Sequence, residues 1–130
     1  MINAIILTHG DLGRALLNTT EKIIGPVENV KVLSNELMSI KNLVVDLENV
    51  VNDWCDTDIL IGVDFCGGSC WHAAQVVKRN KHNVVLISGI NLPMMLSFVS
   101  RRESFKLPEL AEYLKQSSIK GTEILVQSEK

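Results

Sequence analysis

Short apolar runs separated by segments of helical period constrain this chain more than any other feature. Ile2 to Leu7 is apolar except for Asn3, and Asp58 to Val63 and Asn83 to Ile87 are similar runs. Apolar runs of this length without alternation are strands buried on both faces, as in parallel sheets covered by helices. Val30 to Leu33 reads as a further short strand. Between these runs the apolar residues return every three or four positions. Leu12, Ala15, Leu16, Ile23 and Ile24 form one such stripe, which Gly25-Pro26 stops. Leu43, Val44, Leu47, Val50, Val51 and Trp54 form a second, with Ser34 or Asn35 as a candidate cap. Gly67-Gly68-Ser69 opens a third helix carrying Ala73, Ala74, Val76 and Val77. Pro93 fits the first turn of a fourth, where its missing N–H costs nothing. Glu103 to Gln116 reads as mostly helical with a break near Pro108, and Gly121 to Val126 as a last strand.

This order predicts an α/β fold: one domain over residues 1–130, a mainly parallel sheet of order 2-1-3-4, and helices on both faces joined by right-handed crossovers. The composition, 46% hydrophobic and 22% charged, supplies a core without disulfides or a structural metal. A net charge of -2 argues against nucleic acid as a partner. The densest basic stretches, Lys78 to His82 and Arg101-Arg102, read as solvated helix ends. No apolar stretch reaches the roughly eighteen residues that a membrane span needs. The first residues lack the basic lead of a signal peptide, and Cys55, Cys66 and Cys70 cannot all pair within one chain. The chain is therefore expected in the cytoplasm with reduced thiols.

In open parallel sheets ligands bind beyond the carboxyl ends of the strands, where the strand order reverses. Two polar turns leave that edge: Thr8-His9-Gly10-Asp11 after the first strand and Asp64 to Ser69 after the third. The predicted order makes those strands neighbours, so His9 and Asp64 face each other. A neutral imidazole has one nitrogen with a free lone pair and is a nucleophile. A carboxylate on its other nitrogen fixes the tautomer and stabilises the cation that forms as a bond to phosphorus develops. Asp64 is the candidate for that role, although an aspartate there can also cap the next helix. With Asp64 on Nδ1, the reacting atom is Nε2. Backbone N–H groups after Gly10 and after Gly67 and Gly68 are candidates to meet phosphoryl oxygens, with Ser69 as a hydroxyl donor. No Walker lysine or kinase signature is present, so the phosphoryl group must come from other proteins and return to them.

Three motifs carry a family resemblance over nearly the whole chain: Thr8-His9-Gly10, Val63-Asp64 followed by Gly67-Gly68-Ser69, and Gly89-Ile90-Asn91-Leu92-Pro93-Met94. With them the chain resembles the IIA component of the mannose-family sugar phosphotransferase system. The resemblance implies a carrier that takes a phosphoryl group from the protein HPr onto His9 and passes it to a IIB component. The membrane components IIC and IID would then use it in sugar import. The resemblance also implies a homodimer in which the Gly121 to Val126 strand pairs with the partner's sheet. Phe65, Cys70 and His72 depart from the family pattern, Cys70 standing where a proline is usual.

Other readings of the same residues remain. A regulatory module of this fold, phosphorylated on His9, could signal to a transcription or kinase partner. Gly10 and Gly13 imitate part of a dinucleotide fingerprint, but Thr8 replaces its first glycine. Cys66, Cys70 and His72 have a ligand-like spacing, yet a zinc site wants about four ligands and no second Cys/His pair is at hand. No metal or cofactor is expected. Met94, Met95 and Phe98 could belong either to the core or to a docking surface.

Overall fold

A computed structural model describes residues 1–127. It contains β1 (Asn3–Thr8), α1 (Leu12–Ile24), β2 (Val30–Ser34), α2 (Ile40–Asp53), β3 (Ile59–Val63), α3 (Ser69–Lys78), β4 (Val84–Ile87), α4 (Leu92–Arg101) and α5 (Leu107–Lys120). The four strands form one parallel sheet of order β2-β1-β3-β4, as the apolar runs predict. β1 and β3 are fully buried, and the register sets Leu7 beside Val63.

Side chains alternate across a strand, so β1 feeds two cores. Ile5 and Leu7 join Leu43, Leu47 and Val51 of α2 and Ala73, Ala74 and Val77 of α3 on one face. Ala4 and Ile6 join Leu17 of α1, Met94, Met95 and Phe98 of α4, and Leu110 and Leu114 of α5 on the other. The two methionines and Phe98 are therefore core residues, each almost fully buried. Trp71 packs at the margin of the first core.

The structure differs from the sequence expectations at four places. The cap of α2 is Ser39, whose hydroxyl accepts the Asn42 N–H at 3.1 Å, and neither Ser34 nor Asn35 serves. Pro108 does not break a helix. It sits in the first turn of α5, where no intrahelical acceptor awaits its nitrogen, so the helix begins there. Arg101 is exposed, but Arg102 is buried. Its guanidinium donates to the carbonyls of Ile2 (2.9 and 2.6 Å), Glu28 (2.9 Å) and Asn29 (3.3 Å), at the amino end of β1 and ahead of β2. All three carbonyls precede strands and need donors; that of Asn29 also accepts the Ala4 N–H at 3.1 Å. Burial lowers the Arg102 pKa, against the pull of Glu103 and Glu28. Finally, the residues after Gly121, through 127, form no strand and are exposed. A strand exists only when paired, and in the isolated chain this segment has no partner.

No helix among the described residues is long and apolar enough to cross a membrane.

Candidate active site

The site lies where the connections from β1 and β3 leave the sheet in opposite directions. From β1 the chain runs to α1 and the outer strand β2. From β3 it runs to α3 and β4 on the other side. The crevice between the two turns is the switch point of the sheet.

His9 is the first residue after β1, and Asp64 the first after β3. One carboxylate oxygen of Asp64, Oδ2, accepts the His9 backbone N–H at 2.9 Å and lies 2.9 Å from His9 Nδ1. Two bonds to one oxygen tie Nδ1 of the imidazole to the backbone that carries it. The other oxygen, Oδ1, accepts the Phe65 N–H at 3.1 Å. Asp64 thus holds two turns together and does not cap α3, whose N-cap residue is Gly68. Burial alone would raise the Asp64 pKa. The His9 backbone N–H, the His9 ring and the backbone of Asp64 itself outweigh it and keep the carboxyl below its ordinary range. Asp64 is therefore ionised at neutral pH and acts as an acceptor, so Nδ1 carries the proton. Nε2 keeps the free lone pair.

Nε2 faces Ser69 Oγ at 3.5 Å. Ser69 opens α3, and no side chain caps that helix, so its first N–H groups have no side-chain acceptor. Gly67 takes the left-handed conformation at φ +99°, which a residue with a Cβ adopts only under strain. At Gly68 the constraint is space. A Cβ there would come within 2.7 Å of Phe65 Cζ and 3.1 Å of His9 Cε1. Gly10, also left-handed at φ +57°, turns the chain from β1 into α1. Its N–H donates to Asn35 Oδ1 at 3.3 Å.

Asn35 carries no site signal in the sequence. It follows β2 and reaches across β1, and its Nδ2 donates to Ser69 Oγ at 3.2 Å. It therefore ties the Gly10 turn to the start of α3. Thr8, wholly buried, accepts the Gly13 N–H at 2.7 Å and supports the first turn of α1. A lone polar residue on each of two loops leaves no periodic trace, and only the strand order brings Asn35 to the crevice.

Among the described residues, one trio could hold a metal: His9, Asp64 and Cys70, with ligand atoms within 4.8 Å of one another. Cys70 Sγ is 3.8 Å from His9 Nδ1. Burial and the Asp64 charge push its thiol up to about 11, against the Ser69 hydrogen bond, so it is protonated at neutral pH and a poor ligand as it stands. Cys66 and His72 are exposed and lie outside this trio.

The crevice therefore contains an imidazole with one nitrogen engaged by a carboxylate and the other beside a hydroxyl and an uncapped helix start. Comparison with known proteins agrees with the fold that carries it. A family model described as PTS system fructose IIA component (EIIA-man) matches residues 3–115. The sorbose-specific EIIA component of Klebsiella pneumoniae is 28% identical over 114 residues, spanning 88% of this chain and 84% of that protein. The fructose-specific EIIA component of Bacillus subtilis is 30% identical over 120 residues, spanning 91% of this chain and 82% of that protein. The crystal structure of the phosphotransferase system component EIIA from Streptococcus agalactiae superposes with a TM-score of 0.88 at 27% identity, covering 95% of this chain and 97% of that one. This chain belongs to the EIIA-man family of phosphotransferase system IIA components.

Proposed function

We propose that this chain is a cytoplasmic phosphohistidine carrier: it takes a phosphoryl group from phospho-HPr on His9 Nε2 and passes it to a IIB component that serves sugar uptake. The observation that carries the reading is the 2.9 Å contact between His9 Nδ1 and Asp64 Oδ2, which leaves Nε2 as the free nucleophile beside Ser69. Family membership supports a role in the sugar phosphotransferase system.

In the forward step the Nε2 lone pair forms a bond to phosphorus while the P–N bond to the donor's histidine breaks. The donor imidazole leaves with that electron pair. The His9 ring becomes cationic, and its Nδ1–H donates to the Asp64 carboxylate, which stabilises the charge without taking the proton. The phosphoryl oxygens meet the Ser69 hydroxyl and the first N–H groups of α3, with the Gly67-Gly68 turn adding no side chain of its own there. Gly10 shapes the opposite lip of the crevice. Transfer to the IIB component repeats the displacement with His9 as the leaving group.

The carrier is proposed to work as a homodimer. β4 is a free edge of the sheet, bordered by an open groove of about 420 Å³ that Trp71, Leu86 and Ile87 help to line. Ile124, Leu125 and Val126 are 86%, 75% and 86% exposed, an apolar segment without cover in the single chain. Pairing the Gly121 to Val126 segment with a partner's sheet would protect both features.

Incubation with phosphoenolpyruvate, enzyme I and HPr tests the reading. It predicts an acid-labile label on the wild-type chain, none on His9→Ala, and passage of the label to a IIB protein. A label that forms on His9 but never reaches IIB would favour the regulatory-module reading.

A further inference from the structure

Phe65 is a large apolar residue that stays 52% exposed. Its ring nevertheless has a fixed seat. It stacks on the His9 imidazole with centroids 5.0 Å apart and planes 24° from parallel. Its edge rests over Gly68, where even a Cβ would approach Cζ to 2.7 Å. Its backbone N–H is held by Asp64 Oδ1, the carboxylate that engages His9 through the other oxygen. Backbone, ring and glycine together set Phe65 against His9.

We infer that Phe65 is a positioning residue whose aromatic face holds the His9 imidazole in the plane that aims Nε2 past Ser69, and steadies the ring when it becomes cationic. The inference rests on the carrier reading. Its physical basis is separate from the Asp64 contact. A hydrogen bond at Nδ1 fixes one atom of the ring but permits rotation about the Nδ1···Oδ2 axis. A stacked ring opposes that rotation, because tilting the imidazole would drive its edge into the Phe65 face. An aromatic face also attracts a cation above it, so the contact strengthens as positive charge develops on His9. Contacts that strengthen in the transition state raise the rate of the chemical step, whereas contacts equal in both states affect binding alone.

Phe65→Leu and Phe65→Ala test this in the full-length chain. Leucine keeps apolar bulk and removes the aromatic face. In the wild type, the carbon-bound protons of the His9 ring should resonate upfield through the Phe65 ring current, and both variants should lose that displacement. At saturating phospho-HPr, the single-turnover rate of His9 phosphorylation should fall roughly three- to tenfold in Phe65→Leu, the span expected for one aromatic contact. It should fall at least as far in Phe65→Ala, with the KM for phospho-HPr little changed. A wild-type His9 without the upfield displacement overturns the inference. So does a Phe65→Leu rate equal to wild type, or a loss confined to KM, which would make Phe65 a docking contact. If the wild type shows the ring-current shift yet takes no label on His9, the carrier reading itself has failed.

Discussion

The two ends of the sheet treat charge in opposite ways. At the amino end of β1, Arg102 is buried and gives its guanidinium to the carbonyls of Ile2, Glu28 and Asn29. At the carboxyl ends of β1 and β3, the His9–Asp64 pair is only part-buried, and one ring nitrogen is left without a close partner. The first arrangement exhausts a charged group in holding strands together. The second commits half of an imidazole and leaves the other half to react. Polar side chains at both ends are well fixed, so rigidity alone does not mark a site. The mark is an uncommitted atom held in place by committed ones.

That contrast can be broken from either end. His9→Ala should abolish phosphoryl acceptance while leaving the thermal unfolding midpoint within a few degrees of wild type, because the Asp64 carboxylate keeps the backbone N–H of residue 9. Arg102→Ala should do the reverse. It strips donors from the buried Ile2 carbonyl and the part-buried Glu28 and Asn29 carbonyls and should destabilise the fold by about 3 kcal/mol, read by denaturant unfolding, with any folded protein still labelled at His9. Were Arg102→Ala harmless to stability, the amino end would not be the structural end.

A subtler change sharpens the comparison. Asp64→Asn should slow His9 phosphorylation roughly ten- to hundredfold, as expected for losing a hydrogen bond to a charged acceptor. It should also change the acid response. The Asp64 pKa is lowered in the folded chain, so its stabilising contribution is fully present above the unfolded value and is lost as the pH falls through the folded one. The wild type should therefore lose part of its stability below about pH 4, and Asp64→Asn should lose less over that window. Identical acid profiles would mean that the His9–Asp64 contact adds no stability. The smallest effect concerns the thiols. Cys55 and Cys66 are exposed, whereas Cys70 is buried with its pKa pushed up to about 11. Brief alkylation at pH 8 should modify the first two and spare Cys70 until the chain is unfolded. Rapid modification of Cys70 in the native protein would contradict the closed packing behind His9.

Most of the fold was legible because burial on both faces leaves an unmistakable pattern. The runs of β1 and β3 predicted neighbouring central strands, and from that single adjacency followed the meeting of His9 and Asp64. What escaped had a non-local cause. Asn35 looks like a helix cap in sequence and joins the site only because β2 lies beside β1. Arg102 looks like a solvated helix end, and its burial answers the needs of carbonyls 100 and 74 residues away in sequence. Pro108 signals a discontinuity, but its type, a helix start, depends on how the segment from Glu103 to Lys106 turns. The segment after Gly121 has strand-like composition without strand pairing, because a pairing partner is not a property of the sequence itself.

The account depends most on which atom of His9 is free. Nitrogen-15 spectra of the phosphorylated chain, with ring nitrogens assigned through their couplings to carbon-bound protons and to phosphorus, measure it directly. The account predicts phosphorus on Nε2 and a protonated Nδ1 donating to Asp64. Phosphorus on Nδ1, or on a residue other than His9, would contradict it.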